Sequence, residues 1–165
     1  MPETILVIDD YGDDAVWLEM VLRKVGVTNP IQIKQSAVEA VSYLKGEFPY
    51  SDRAKYPLPK IIFLDLKMPG VDGFEFLVWL KAQNQLGNLT VFAVTGLEDI
   101  LSIRKAYAMG ATSFLVKPAR PADILNLIHS FPSHWNLIAA PLPPGAPNSR
   151  GSDVQLPIPG ITPET

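Results

Sequence analysis

Lys60–Asp65 reads KIIFLD: four apolar residues in an unbroken run, closed by a carboxylate. A run this short, with no polar position inside it, suits a strand covered by helices on both faces; a half-exposed strand would alternate. Upstream, Thr4–Asp9 (TILVID) has the same character and also ends on an aspartate. Asp13–Val25 follows with helical spacing, placing Ala15, Leu18 and Leu22 on one stripe, and Gly26 is a suitable stop. Ile31–Gln35 alternates apolar and polar residues, and Ser36–Glu39 reads as a capping box that opens a helix running to Leu44 and stopping near Gly46. Residues 47–59 carry three prolines and read as a loop. Downstream of KIIFLD, the spacing predicts a helix over Phe74–Gln85, a strand over Leu89–Val94 and a helix over Glu98–Met109 ended by Gly110. A strand over Thr112–Val116 and a helix over Arg120–Phe131, with Pro121 in its first turn, complete the series. Strands and helices in strict alternation imply an α/β fold: a doubly wound parallel sheet of five strands, with five helices and right-handed crossovers.

The composition agrees with this and narrows the function classes. A length of 165 residues suits one domain with an appendage, and 47% hydrophobic residues suffice for a core. The net charge of −3 offers no basic footprint for nucleic acid. No apolar run approaches the roughly 20 residues of a membrane span, and the N-terminus lacks a signal-peptide pattern. The expectation is a cytoplasmic protein without nucleic-acid or membrane partners. With no cysteine, disulfides, thiolate metal sites and cysteine nucleophiles are excluded. His129 and His134 are too few for a histidine metal cluster.

Sheets of this type bind ligands beyond the carboxyl ends of their strands. The strand ends carry Asp9-Asp10, Asp65, Thr95-Gly96 and Lys117-Pro118. One aspartate at a strand end is ordinarily a turn or a helix cap; four polar clusters at four ends are not explained that way. Three carboxylates brought together repel one another, and a divalent cation relieves the conflict. Mg²⁺ suits such a site, because it takes hard oxygen ligands, keeps waters and uses one or two carboxylates with a substrate phosphate. Asp10 and Asp65 are the expected ligands, with Asp9 acting directly or through water and the backbone carbonyl of Lys67 completing the protein's share. Asp65 is then the candidate nucleophile for a phosphoryl group, since a carboxylate is already ionised at neutral pH. Lys117 can pair with one phosphoryl oxygen, the Thr95 hydroxyl can donate to another, and Gly96 leaves room for the donor.

The stretches ILVIDD (5–10), LDLKMPGVDGFEFL (64–77), AVTG (93–96) and GATSFLVKPA (110–119) together resemble the receiver domains of response regulators, over about residues 3–131. The resemblance implies a flavodoxin-like strand order of 2-1-3-4-5, with Asp65 as phosphoacceptor, Asp9 and Asp10 as the acidic pair, and Thr95 and Lys117 as their partners. It also makes Phe114 the switch aromatic and the Lys117–Pro118 bond cis. The implied function is that of a signalling switch rather than an enzyme on other substrates. A sensor histidine kinase phosphorylates Asp65, Thr95 shifts toward the phosphate, and Phe114 turns inward. The face made by helix four, strand five and helix five changes as a result. Phenylalanine lacks the hydroxyl of the tyrosine often found there, so packing alone would drive that rotation. Lys67, two residues after the phosphoacceptor, is a candidate shield that slows loss of phosphate, the plain alternative being a solvated lysine.

Ile100, Ile103 and Tyr107 share one stripe of the fourth helix, and Leu101 and Ala108 a neighbouring one. Either the helix is generously buried, or one stripe is exposed as an interface for a homodimer. Residues 132–165 hold eight of the sixteen prolines and three charged residues, so a proline-rich extension without an output domain is expected. Two parts of it are apolar: His134–Leu137, which could dock beside the last helix, and Val154–Ile161 (VQLPIPGI). The long loop after the second helix and the tryptophan segment after the fifth resemble the stand-alone receivers that partner phytochrome-type histidine kinases. Two rivals on the same fold fail at the first strand. A flavodoxin-like cofactor binder needs a phosphate loop where this chain has Asp9-Asp10-Tyr11-Gly12-Asp13-Asp14, and an Asp-nucleophile phosphatase needs a second aspartate two residues on, where Tyr11 stands. A receiver that binds partners without being phosphorylated is the remaining alternative.

Overall fold

The computed structural model describes residues 3–138, apart from 71, 87 and 97–99. Five parallel strands, β1 (Thr4–Ile8), β2 (Ile31–Lys34), β3 (Pro59–Asp65), β4 (Thr90–Thr95) and β5 (Ser113–Val116), form one sheet in the order β2-β1-β3-β4-β5. Between and after them run α1 (Gly12–Lys24), α2 (Ala37–Lys45), α3 (Gly73–Lys81), α4 (Ile100–Ala108) and α5 (Pro121–Ser130). Alternate strand residues serve opposite cores, the period-2 rule acting on a sheet with two covered faces. Ile5, Val7, Ile61, Phe63, Phe92 and Val94 pack with α1 and α5, through Leu18, Leu22, Ile124 and Leu127. Leu6, Ile8, Ile62, Leu64, Val91 and Ala93 pack with α2, α3 and α4, through Tyr43, Phe76, Leu77 and Ala106. Among the described residues no helix is long and apolar enough to cross a membrane.

Local chemistry sets the element ends. The Ser36 hydroxyl accepts the Glu39 N–H at 3.1 Å and caps α2, and Gly46 ends it with a left-handed φ of 71°. The Asp72 carboxylate caps α3 by accepting the Glu75 N–H at 2.9 Å. That helix stops at Lys81 rather than Gln85, because the Gln83 side chain bonds the Trp79 carbonyl at 3.0 Å and the chain turns into a 3₁₀ segment, Asn84–Leu86. The proline-bearing loop after α2 is itself packed. Arg53 donates to the carbonyls of Tyr43 and Leu44 at 2.8 and 2.7 Å, closing the helix end, and Tyr43, Tyr50 and Tyr56 meet ring against ring.

Past α5 the chain folds back as a strap. After a 3₁₀ turn, Pro132–His134, the Trp135 ring is buried and stacks on Phe92 with centroids 5.9 Å apart. Thr28 N–H donates to the Asn136 carbonyl and Ile138 N–H to the Gly26 carbonyl, both at 2.8 Å. Buried Asn29 ties the strap to β1, donating to Glu3 O at 2.8 Å and accepting Asn136 N–H at 2.7 Å. Residues 139–165, with Val154–Ile161 among them, lie outside the described residues.

Candidate functional site

In-register parallel pairing sets Ile8 beside Leu64, Asp65 beside Val94, and Thr95 beside Val116. Asp9, Asp65, Thr95 and Lys117 therefore emerge together at the carboxyl edge of the sheet, Asp9 level with Asp65, and Thr95 and then Lys117 each one residue further on. Backbone bonds lock the level: Asp9 N–H to Lys34 O at 3.0 Å, Leu66 N–H to Val94 O at 3.1 Å and Lys117 N–H to Thr95 O at 2.7 Å. The Lys117–Pro118 bond is cis.

Lys117 Nζ stands 2.8 Å from Asp9 Oδ2, 3.0 Å from Asp14 Oδ2 and 3.3 Å from Asp65 Oδ2. Backbone donors orient two of these carboxylates. Tyr11 N–H bonds Asp9 Oδ1 at 2.9 Å, and Lys67 N–H bonds Asp65 Oδ1 at 3.0 Å. Burial pushes the Asp65 carboxyl up to about 6, against the pull of the Lys67 N–H and the Lys117 charge and with the help of Asp9. Burial acts on Lys117 in the opposite sense, but its bonds to Asp9 and Asp14 and the charge of Asp65 outweigh that and hold it well above the usual lysine range. Asp9, Asp10 and Asp65 can each bring a carboxylate oxygen within 4.8 Å of the others. Asp9 and Asp65 are buried while Asp10 is exposed, so the cluster opens to solvent on one side. Hard oxygens, converging from two strand ends with an open side, are a donor set for a divalent cation.

The remaining expected residues sit as follows. Thr95 is buried at the end of β4, and Gly96 is exposed, with nothing within 4 Å of where a Cβ would stand. Lys67 has an exposed side chain. Phe114 is half-buried, packs against the core under α2, α3 and α4, and meets Tyr107 edge-on at 6.2 Å. On α4 only Ala106 is buried, whereas Ile100, Leu101 and Tyr107 are 63%, 72% and 44% exposed. The generously buried helix is thus not what forms.

Two residues of the site went unassigned in the sequence. Asp14 lies in the first turn of α1, four residues before Leu18; carrying that buried stripe one turn toward the N-terminus leads to it. Gly73 opens α3 so close to the Asp65 segment that a Cβ there would stand 2.5 Å from Asp65 O and 2.6 Å from Leu66 Cα. Only glycine permits that approach.

A family model for the response regulator receiver domain matches residues 5–129. The chain belongs to the response regulator receiver family. Its fold resembles those of several solved receivers. RPA3017, a response regulator in red light signaling of R. palustris, is 29% identical with a TM-score of 0.72, the match covering 85% of this chain and 100% of that one. The bacteriophytochrome response regulator RtBRR is 27% identical with a TM-score of 0.74, covering 88% and 86%. Response regulator Rcp1 of Synechocystis sp., in its Mn²⁺-bound form, is 25% identical with a TM-score of 0.66, covering 86% and 99%. This receiver is therefore related to phytochrome-linked regulators.

Proposed function

We propose that this receiver is cytoplasmic and takes a phosphoryl group on Asp65 from a phytochrome-type sensor histidine kinase in a Mg²⁺-dependent reaction. The observation that carries the reading is the convergence of the Asp65 carboxylate, held by Lys67 N–H, with the Lys117 ammonium and a second and third carboxylate. An Asp65 oxygen forms the new bond to phosphorus while the bond from phosphorus to the donor breaks, and the donor leaves with that electron pair. No general base is required, because a carboxyl titrating near 6 is mostly ionised at neutral pH. Lys117 offsets charge on one phosphoryl oxygen, and the Thr95 hydroxyl donates to another. Asp10 and Asp65, with Asp9 directly or through water and the Lys67 carbonyl, would hold Mg²⁺, whose charge offsets that of the phosphoryl oxygens. The protein catalyses only its own phosphorylation and dephosphorylation, and the exposed Lys67 side chain screens the phosphoryl group from water.

Phe114 and the open α4 stripe support an output face made of α4, β5 and α5, with a homodimer as one of its uses. Ile103→Glu is expected to lower the mass of any dimer in sedimentation; an unchanged mass removes that part of the reading.

The reaction itself is tested with acetyl phosphate and Mg²⁺, recording intact mass. Wild-type protein gains one labile phosphoryl group as acetate leaves, while Asp65→Ala gains none and EDTA abolishes the gain. A wild type that neither gains mass nor binds beryllofluoride is instead a phosphorylation-independent interaction module.

A further inference from the structure

Three carboxylates share the Lys117 ammonium, and one of them belongs neither to the acidic trio nor to a strand end. Asp14 reaches Lys117 from α1 at 3.0 Å, closer than Asp65 at 3.3 Å. One turn further along α1, Trp17 Nε1 donates to the Ala119 carbonyl at 2.8 Å. The helix is thus fastened to the Lys117–Ala119 segment twice, by a charge pair and by a hydrogen bond. The three carboxylates differ in their surroundings: the side chains of Asp9 and Asp65 are 7% and 6% exposed, and that of Asp14 is 41% exposed. Water can therefore take over from Lys117 at Asp14 at far lower cost than at the other two.

Resting on the reading of Asp65 as phosphoacceptor, we infer that Asp14 is a positioning residue that holds part of the Lys117 charge in reserve and so weakens the pocket's grip on a phosphoryl group. An anion arriving on Asp65 must draw the ammonium toward itself, and the bond it displaces most readily is the solvent-facing one to Asp14. That carboxylate also adds a negative charge beside the place where phosphoryl oxygens sit. Removing its charge, with the shape kept, leaves Lys117 to Asp9 and Asp65 and makes the pocket more receptive to an anion. The divalent cation is affected less, since Asp14 is not among the residues that can converge on it.

The test uses the full chain in saturating Mg²⁺, with bound beryllofluoride counted by fluorine NMR in wild type, Asp14→Asn and Asp14→Glu. Asp14→Asn is expected to bind beryllofluoride about two- to five-fold more tightly, the range of a partly exposed ion pair. Asp14→Glu, which keeps the charge, should return to the wild-type value. Mg²⁺ affinity without fluoride should change by less than two-fold in either. Equal or weaker beryllofluoride binding by Asp14→Asn overturns the role, as does a matching change in Mg²⁺ affinity. A second measurement does not depend on phosphoryl chemistry: acetic anhydride labelling of Lys117 in the metal-free protein, read by peptide mass. Labelling should rise in Asp14→Asn and stay at the wild-type level in Asp14→Glu; no rise in Asp14→Asn overturns the hold on Lys117. A wild type that binds no beryllofluoride overturns the Asp65 reading, and the modulating role with it, whatever the labelling gives.

Discussion

At the carboxyl edge of the sheet, Asp9, Asp14 and Asp65 crowd a single ammonium, and Asp10 adds a fourth carboxylate. At the amino edge no such crowd of like charges forms among the described residues. Asn29 satisfies Glu3 and Asn136, Thr28 pairs with Asn136, His134 meets the Thr90 hydroxyl at 2.8 Å, and Trp135 fills the space between. Trp135 Nε1 and Thr4 Oγ1 are the buried side-chain atoms there without a bond among the described residues. Both edges bury polar groups, but one matches donors with acceptors, the Arg23 guanidinium on the Val27 and Asn29 carbonyls included, and the other confines like charges. The first arrangement adds stability; the second holds back stability that, on the function proposed above, a cation and a phosphoryl group would release. The difference separates what keeps this receiver folded from what makes it responsive.

Substitutions at either edge can break that contrast. Trp135→Ala is expected to have the largest effect, a loss of about 3–5 kcal/mol in urea unfolding from removing a buried stacked aromatic. At temperatures where the variant stays folded it should still gain a phosphoryl group from acetyl phosphate; a folded variant that cannot would tie the two edges together. Asp65→Asn should do the reverse, losing the phosphoryl gain while raising stability in the absence of divalent cation by roughly 1–2 kcal/mol, since it removes a buried charge that burial and Asp9 disfavour. A fall in its urea midpoint would mean that the carboxylate is a net structural asset.

The smallest effect concerns pH at the amino edge. Burial, with the Lys60 charge beside it, holds the His134 imidazole below its ordinary range. The unfolded chain then takes up a proton that the folded one resists. Stability is fully present above about pH 6.5, is lost as pH falls from there through the lower folded value, and levels off below it. Replacing His134 with Gln should flatten the urea midpoint over that window relative to wild type. Identical pH profiles would show that the imidazole titrates in the strap as it does in the open chain.

The strand runs TILVID and KIIFLD, the glycine stop at Gly46, the Ser36 cap and the aspartates, threonine and lysine at the strand ends are local signals, and each could be read along the chain. Their convergence follows from topology, because parallel in-register strands bring their carboxyl ends to one edge whatever lies between them. The sharing of Lys117 with Asp14 is a different matter. It depends on where α1 rests against the β5–α5 connection, set by the packing of Leu18 and Leu22 and by the Trp17 bond to Ala119. Gly73 is similar: its reason is the 2.5 Å that would separate a Cβ from Asp65 O, a distance between residues eight apart that no local pattern encodes. The sequence also marked α4 as apolar on two stripes without deciding which is covered, and the fold buries Ala106 and leaves Ile100, Leu101 and Tyr107 in solvent. Periodicity and residue chemistry are properties of neighbours along the chain, so they determined this protein's strands, helices and candidate acidic ligands. Which carboxylate shares the lysine and which face of a helix stays open are properties of neighbours in space, and only the packed structure decided them.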